Sequence, residues 1–404
     1  MRVDAEQVYA NWSTGLVRIV LLTGVTGALG SALLPLLAQQ FPDHDIYCLI
    51  RATDAAAARG RLDAVIGGAA MAGDASRIHA LQGDAALPGF GLADGVLDDL
   101  AARVEKIFHL AASVDFDLPL PESRAINVHS TAAVLAFARR CRLRGTAGFH
   151  ISYVSTAYVA GDRNGLLKES DLRLGQGFWN GYEESKLEAE ELVAAAAHEL
   201  PVTVFRPSQV IGDSRTGAIS KFFGFYEFVG LAVRGRSNIL VADPDARPDM
   251  VPLDYVCRAL LHLSARPDAA GATYHLAAGL ANSLAVSEVV EAVLEVMARH
   301  KAGSEATARP RIIRADRLAL DAAPDELARY EYSAQKLLLR TYGPYLAYER
   351  DFDVAATHAL LAQAGIVIPP MREAIMVTAD YALRSRVRRR EAPHNKPSQL
   401  GETA

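Results

Sequence analysis

Short aliphatic runs recur along the chain, each followed by a longer stretch with apolar positions every three or four residues. Residues 17–22, aliphatic apart from Arg18, predict a buried strand, and residues 28–40 the helix behind it. The same pattern places strands at 45–50, 78–82, 104–110, 149–154 and 202–205. Helices are expected at 55–66, with Gly67-Gly68 as a stop, and at 122–143 and 183–198. No pair of turn residues joins two such runs as a hairpin, so the alternation predicts an α/β protein with a doubly wound parallel sheet. A helix at 285–300, a polar linker at 302–311 and a Tyr-rich helical stretch at 318–348, broken at Gly343-Pro344, predict a smaller, mostly helical C-terminal region.

Composition narrows the class. A chain of 404 residues exceeds the size at which one core stops growing, so two lobes are expected. With 50% hydrophobic residues and a net charge of −5, disorder and a general nucleic-acid surface are excluded. The uncharged stretch 19–38 is long enough for a bilayer, but three glycines and Pro35 divide it better into strand and helix. Residues 1–12 are mixed polar, without the basic-then-apolar pattern of a leader, and the expectation is a cytoplasmic protein with no membrane contact. Cys48, Cys141 and Cys257 lack metal-ligand spacing and read as buried reduced thiols; no metal is expected.

The stretch Thr23-Gly-Val-Thr-Gly-Ala-Leu-Gly30 lies between the first strand and its helix. Gly24 suits the tight turn, Gly27 a close approach of backbone to phosphate, and Gly30 the packing of helix on strand; the helix N-terminus adds N–H groups and partial positive charge. This is a dinucleotide site of the Rossmann type, with Thr23, Gly24, Thr26, Gly27, Ala28, Leu29 and Gly30 as candidate contacts. The second strand ends at Arg51 rather than at an acid, which favours the 2′-phosphate of NADPH, with Arg61 as a further contact. Asp84 is a candidate for the adenine amino group, and Ala111 for the floor under the cofactor, whereas His109 reads as packed rather than catalytic. Residues 1–280 are expected to form the NADP-binding domain, with 213–249 inserted into the substrate region; 281–390 would form the C-terminal substrate region and 391–404 a disordered tail.

Ser155-Thr156 follows the fifth strand, and Tyr182-Glu-Glu-Ser-Lys186 opens a helix. Tyrosine and lysine four residues apart share a helix face, so the ammonium is expected to lower the phenol's pKa. Thr156, ahead of Ser155, would hydrogen-bond the substrate oxygen beside Tyr182, and Lys186 would hold the nicotinamide ribose.

At these residues the chain resembles the extended short-chain dehydrogenase/reductase superfamily: Thr23 to Gly30, the Tyr182/Lys186 pair, Arg206-Pro207-Ser208 and Val210-Ile211-Gly212 match its motifs over about the first 280 residues. Within it, the phrase from Ile107 to Phe116, Asn127-Val-His-Ser-Thr131 and His150 to Val159 are similar to fatty acyl-CoA reductases and thioester reductase domains. The resemblance implies Thr156, Tyr182 and Lys186 as the catalytic set, places Pro207 and Val210 beside the nicotinamide, and implies a return to the sheet at 250–256 and a last strand at 273–277. It implies reduction of an acyl thioester to aldehyde, and on to alcohol after a second hydride, with acyl-CoA or an acyl carrier protein as donor. Ala28 and Leu110 depart from the pattern, where many relatives have phenylalanine and several asparagine. The alternatives are a dehydrogenase or epimerase acting on an alcohol, ketone or nucleotide sugar, and a non-catalytic NADP sensor. The aromatic stretch 217–235 is either acyl-binding surface or packing between lobes, and the five arginines between 384 and 390 are either a solvated end or an anion contact.

Overall fold

The computed structural model describes residues 17–68, 74–234, 239–300, 309–322, 326, 328, 341–347 and 350–391. Its centre is a seven-stranded sheet in which every pairing is parallel, built from β1 (Arg18–Thr23), β2 (His44–Ile50), β3 (Ile78–Gln82), β4 (Val104–His109), β5 (His150–Val154), β7 (Val202–Pro207) and β11 (Thr273–Leu276). The spatial order is β11-β7-β5-β4-β1-β2-β3.

Strand periodicity explains the layers. Along β1, Ile19 and Leu21 enter one core while Val20 and Leu22 enter the other, so both faces of the sheet need a helical cover. On the Ile19 face lie α3 (Asp94–Arg103), α4 (Leu120–Arg144) and α5 (Gly181–Ala196). On the Val20 face lie α1 (Ala28–Gln40), α2 (Ala55–Gly68), α7 (Leu253–Ser264), α8 (Val286–His300) and α10 (Met371–Glu391). Each large aliphatic side chain buried this way contributes about 1.5–3 kcal/mol.

Local chemistry sets the helix ends. Asn180 caps α5 by accepting from the Glu183 N–H at 3.0 Å, which puts Tyr182 in the first turn and Lys186 one turn on. Gly145, at φ 71°, closes α4 in the left-handed conformation. Asp54 accepts from the Ala57 N–H at 2.7 Å at the start of α2, which runs through Gly67-Gly68 instead of stopping before them.

The chain departs from expectation mainly after β7. The segment at 250–256 does not rejoin the large sheet: β10 (Met250–Pro252) pairs in parallel with β8 (Gln209–Ile211), and α7 begins at once. Two further parallel pairs reach into the C-terminal region, β9 (Ile239–Val241) with β12 (Arg311–Ile313) and β6 (Gly165–Leu167) with β13 (Arg350–Phe352). These strands are three residues long and pair across large sequence separations, below what periodicity detects. Between them and α10 lies α9 (Ala355–Gln363), and α6 (Phe225–Arg234) forms within the aromatic stretch. Of the helical stretch expected at 318–348, a turn at Leu318–Asp321 and a 3₁₀ turn at Gly343–Leu346 are described; most of the rest, like most of the linker at 302–311 and the tail beyond 391, lies outside the described residues. The backbone of the arginine run continues α10, and Arg384 pairs with Asp380 at 2.9 Å. Among the described residues no helix is long and apolar enough to cross a membrane, and no three His, Cys, Asp or Glu side chains are grouped to hold a metal. The three cysteines are free and buried.

Candidate active site

Strand order reverses between β1 and β4, and the crevice at that switch point holds the glycine turn. Thr23 is buried at the end of β1. Its hydroxyl bonds Nδ1 of His109 at 2.7 Å and accepts from the N–H groups of Leu110 and Ala111, tying the ends of β1 and β4 together. A Cβ on Gly24, whose φ is +78°, would lie 2.6 Å from the Leu110 carbonyl carbon, and one on Gly30 would lie 2.2 Å from the Gly24 oxygen. Only glycine fits either place, one for conformation and close approach, the other for helix packing. Gly27 starts α1 with no side-chain cap and no acid in the first turn, so the cradle and the helix N-terminus suit a pyrophosphate.

Arg51, Arg61 and Thr26 gather on the rim of that cradle. Arg61 donates to the Arg51 carbonyl and, at 3.3 Å, to the Thr26 hydroxyl. Asp84 spends one carboxylate oxygen on its own turn, accepting from the Ala86 N–H at 3.0 Å.

A cavity of about 720 Å³ is lined by Gly24, Gly27, Ala28, Leu29 and Gly30, by Thr156, Tyr182 and Lys186, and by Pro207 and Val210. Thr23, Thr26, Arg51, Arg61, Asp84 and Ala111 stand outside its lining. The apolar part of the same lining, its arm, includes Phe223 and Phe228, Val289, Val290 and Val293 of α8, and Leu346. The aromatic stretch therefore divides: Phe223, Phe225 and Phe228 line the arm, while Phe222 stacks on Tyr226 at 4.6 Å and meets Tyr381 of α10 edge-on.

Tyr182 is 7% exposed, stacks on Phe116 with ring centroids 5.3 Å apart, and hydrogen-bonds Thr156. Burial pushes its phenol up to about 12, against the Thr156 hydrogen bond. The expected depression by Lys186 is therefore not realised. Lys186 Nζ donates instead to the Tyr153 hydroxyl at 3.1 Å and the Val154 carbonyl at 3.0 Å. Burial pushes that ammonium down to about 8, while Glu190 opposes the shift. Thr156 also accepts from the Tyr158 N–H at 3.3 Å, which fixes its side chain at the strand end. His109 is packed as expected, its imidazole pushed down to about 3 by burial and then by Lys186.

Sequence reasoning missed the wall around the phenol. Tyr345 lies 5.4 Å from Phe116 and 4.8 Å from Tyr158, ring to ring; its hydroxyl donates to the buried Glu183 at 2.6 Å and accepts from Asn180 at 2.9 Å. No local rule sends residue 345 back to the start of α5. Tyr153 carried a signal, since a phenol in a strand buried on both faces must find a partner.

Comparisons with known proteins agree with this geometry. The family model described as male sterility protein, an NAD-binding family, matches residues 22–260. The chain is 33% identical over 270 residues to the nonribosomal peptide synthetase asaC of Aspergillus flavus, covering 64% of this chain and 26% of that protein. The chain thus spans about a quarter of that synthetase. Its fold is similar to the terminal R domain of the myxalamid PKS-NRPS pathway, at a TM-score of 0.73 and 27% identity over 93% of this chain and 92% of that one. A thiolation-reductase di-domain from an archaeal non-ribosomal peptide synthetase shares the fold at a TM-score of 0.71 and 18% identity, covering 95% of this chain and 83% of that one. With the glycine cradle, the Tyr182/Lys186 helix and the all-parallel sheet in place, the chain belongs to the NAD-binding male sterility protein family of the extended short-chain dehydrogenase/reductases, a family of oxidoreductases.

Proposed function

We propose that this protein is an NADPH-dependent reductase that converts an acyl thioester to an aldehyde. The observation that carries the reading is the single cavity in which the glycine cradle, the Thr156/Tyr182/Lys186 cluster and an apolar arm are continuous. Arg51 and Arg61 on the rim, with no acid at the end of β2, support a 2′-phosphate, hence NADPH. When bound, NADPH supplies the hydride.

Thr156 and Tyr182 donate hydrogen bonds to the thioester oxygen as it gains charge, an interaction worth most in the transition state. A phenol held up to about 12 keeps its proton at neutral pH, which suits a donor in the direction of reduction. Tyr182 gives that proton to the oxygen; as the carbon–sulfur bond of the resulting hemithioacetal breaks, the hydroxyl proton returns to Tyr182, the departing sulfur takes a proton from solvent, and thiol and aldehyde leave. Lys186 holds the nicotinamide ribose, and the arm behind Phe228 and Val290 receives the acyl chain. A second round on the same residues reduces the aldehyde to the alcohol. The thioester arrives on CoA or on a carrier protein; the thiolation-reductase architecture of a fold relative favours the carrier.

The test is to mix the protein with NADPH and a series of acyl thioesters, on CoA and on a carrier protein, and to follow NADPH oxidation and thiol release together. One thiol released for each acyl group reduced is the expected result. Reduction of ketones or sugars without thiol release overturns the proposal.

A further inference from the structure

We propose that Tyr153 is a positioning residue for Lys186, holding the ammonium at the strand ends and stabilising its charged form. The sequence pattern marks Lys186 by its spacing from Tyr182, yet the hydrogen bond the lysine makes is to a different phenol, one strand deeper. Tyr153 is 2% exposed on β5, and Lys186 is 3% exposed on α5. The ammonium also sits 4.7 Å from the centre of the Tyr153 ring.

The contact belongs to a longer buried chain of polar groups. The Tyr153 hydroxyl is hydrogen-bonded to Thr131 of α4, and the Thr131 hydroxyl lies 3.5 Å from Nε2 of His109. Nδ1 of His109 meets Thr23, which holds the backbone beside the glycine turn. The two halves of the site, ribose side and phosphate side, are thereby joined through the sheet.

The charged and titratable groups around Lys186 are few, and the Tyr182 phenol, one turn earlier on the same helix and in the same cavity, is one of them. Tyr153 faces it from β5 and His109 from β4, while Glu190 of its own helix is occupied by Arg206 of β7 at 2.6 Å; α4 contributes the neutral Thr131. A buried ammonium is costly unless its protons are accepted, and the Tyr153 oxygen and the Val154 carbonyl are the acceptors shown. Removing one of them favours the neutral amine.

The role of Lys186 in turnover rests on the proposed reductase reading, whereas its titration does not, and the experiment separates the two. Lysine in the full chain is labelled at Cε and titrated by NMR, with K186M assigning the signal, in the unsubstituted protein and in Y153F. The Lys186 midpoint is expected to fall by about one pH unit in Y153F. The alkaline limb of kcat/KM for NADPH-dependent thioester reduction is expected to fall by the same amount, with kcat near pH 6.5 reduced less than about twofold. T131V, which removes a partner of the Tyr153 hydroxyl, gives a smaller shift in the same direction and covers the case in which Y153F does not fold. An unmoved Lys186 midpoint in both variants overturns the inference. A midpoint that moves while turnover keeps its limb upholds the inference and removes the catalytic role assigned to Lys186.

Discussion

In one part of the cavity lining three glycines around a single turn shape a backbone cradle; in another, side chains from Phe223, α6, β9, α8 and residues 342–346 form an apolar wall. The first is made by contiguous sequence, and its chemistry is that of N–H groups and a helix end. The second is made by residues up to 123 positions apart, from Phe223 to Leu346, and contributes only burial. Between them stand Thr156, Tyr182 and Lys186, the groups proposed to handle the proton. Such a division predicts that cofactor binding, proton transfer and acyl selection can be damaged separately.

The largest effect is expected at the centre. Y182F lowers kcat by about a thousandfold at every acyl length, because the proton donor is lost, and leaves the NADPH dissociation constant unchanged. Stopped-flow turnover with fluorescence titration of NADPH checks both halves, and surviving turnover removes Tyr182 from its role. Next in size is a pH effect on stability. Burial depresses Lys186 from 10.5 to about 8, so between those values the unfolded chain binds more protons than the folded one, and stability rises with pH. Denaturant melts of the natural protein, compared with K186M, should show a gain of about 3 kcal/mol across that window that the variant lacks. A flat difference means that Lys186 is solvated.

At the cradle, R51A is expected to weaken NADPH by about tenfold to a hundredfold while NADH is unaffected, the loss of one charge-assisted contact to a 2′-phosphate. Equal weakening of both cofactors removes the phosphate assignment. At the arm, V290W lowers kcat/KM for long aliphatic thioesters by about tenfold and leaves two-carbon substrates unchanged. If short and long substrates suffer alike, the arm does not hold the acyl chain.

The same division explains what the sequence revealed. Gly24, Gly27 and Gly30 were legible because their requirement is local: a positive φ, a helix start and a close contact all within one turn. Tyr182 and Lys186 were legible as a pair on one helix face, and the parallel sheet as runs of buried aliphatic residues. The direction of the phenol's pKa was not, because spacing counts charges and ignores desolvation, and burial outweighs the hydrogen bond here. Nor does spacing show that Lys186 turns to Tyr153, which depends on how α5 lies against β5. The arm was half legible: the aromatic stretch stood out, but which rings would line a cavity and which would stack on α10 depends on long-range packing.

The short parallel pairs β6 with β13 and β9 with β12 have a practical bearing on anyone who would cut the chain after the last strand of the large sheet. A fragment ending near residue 280 would keep β6 and β9 but strip away their neighbours, leaving two bare edges of backbone donors and acceptors. It would also discard Tyr345, and with it the stopper behind Glu183. Such a piece should clump rather than bind cofactor, so both sides of that cut are best expressed as one polypeptide.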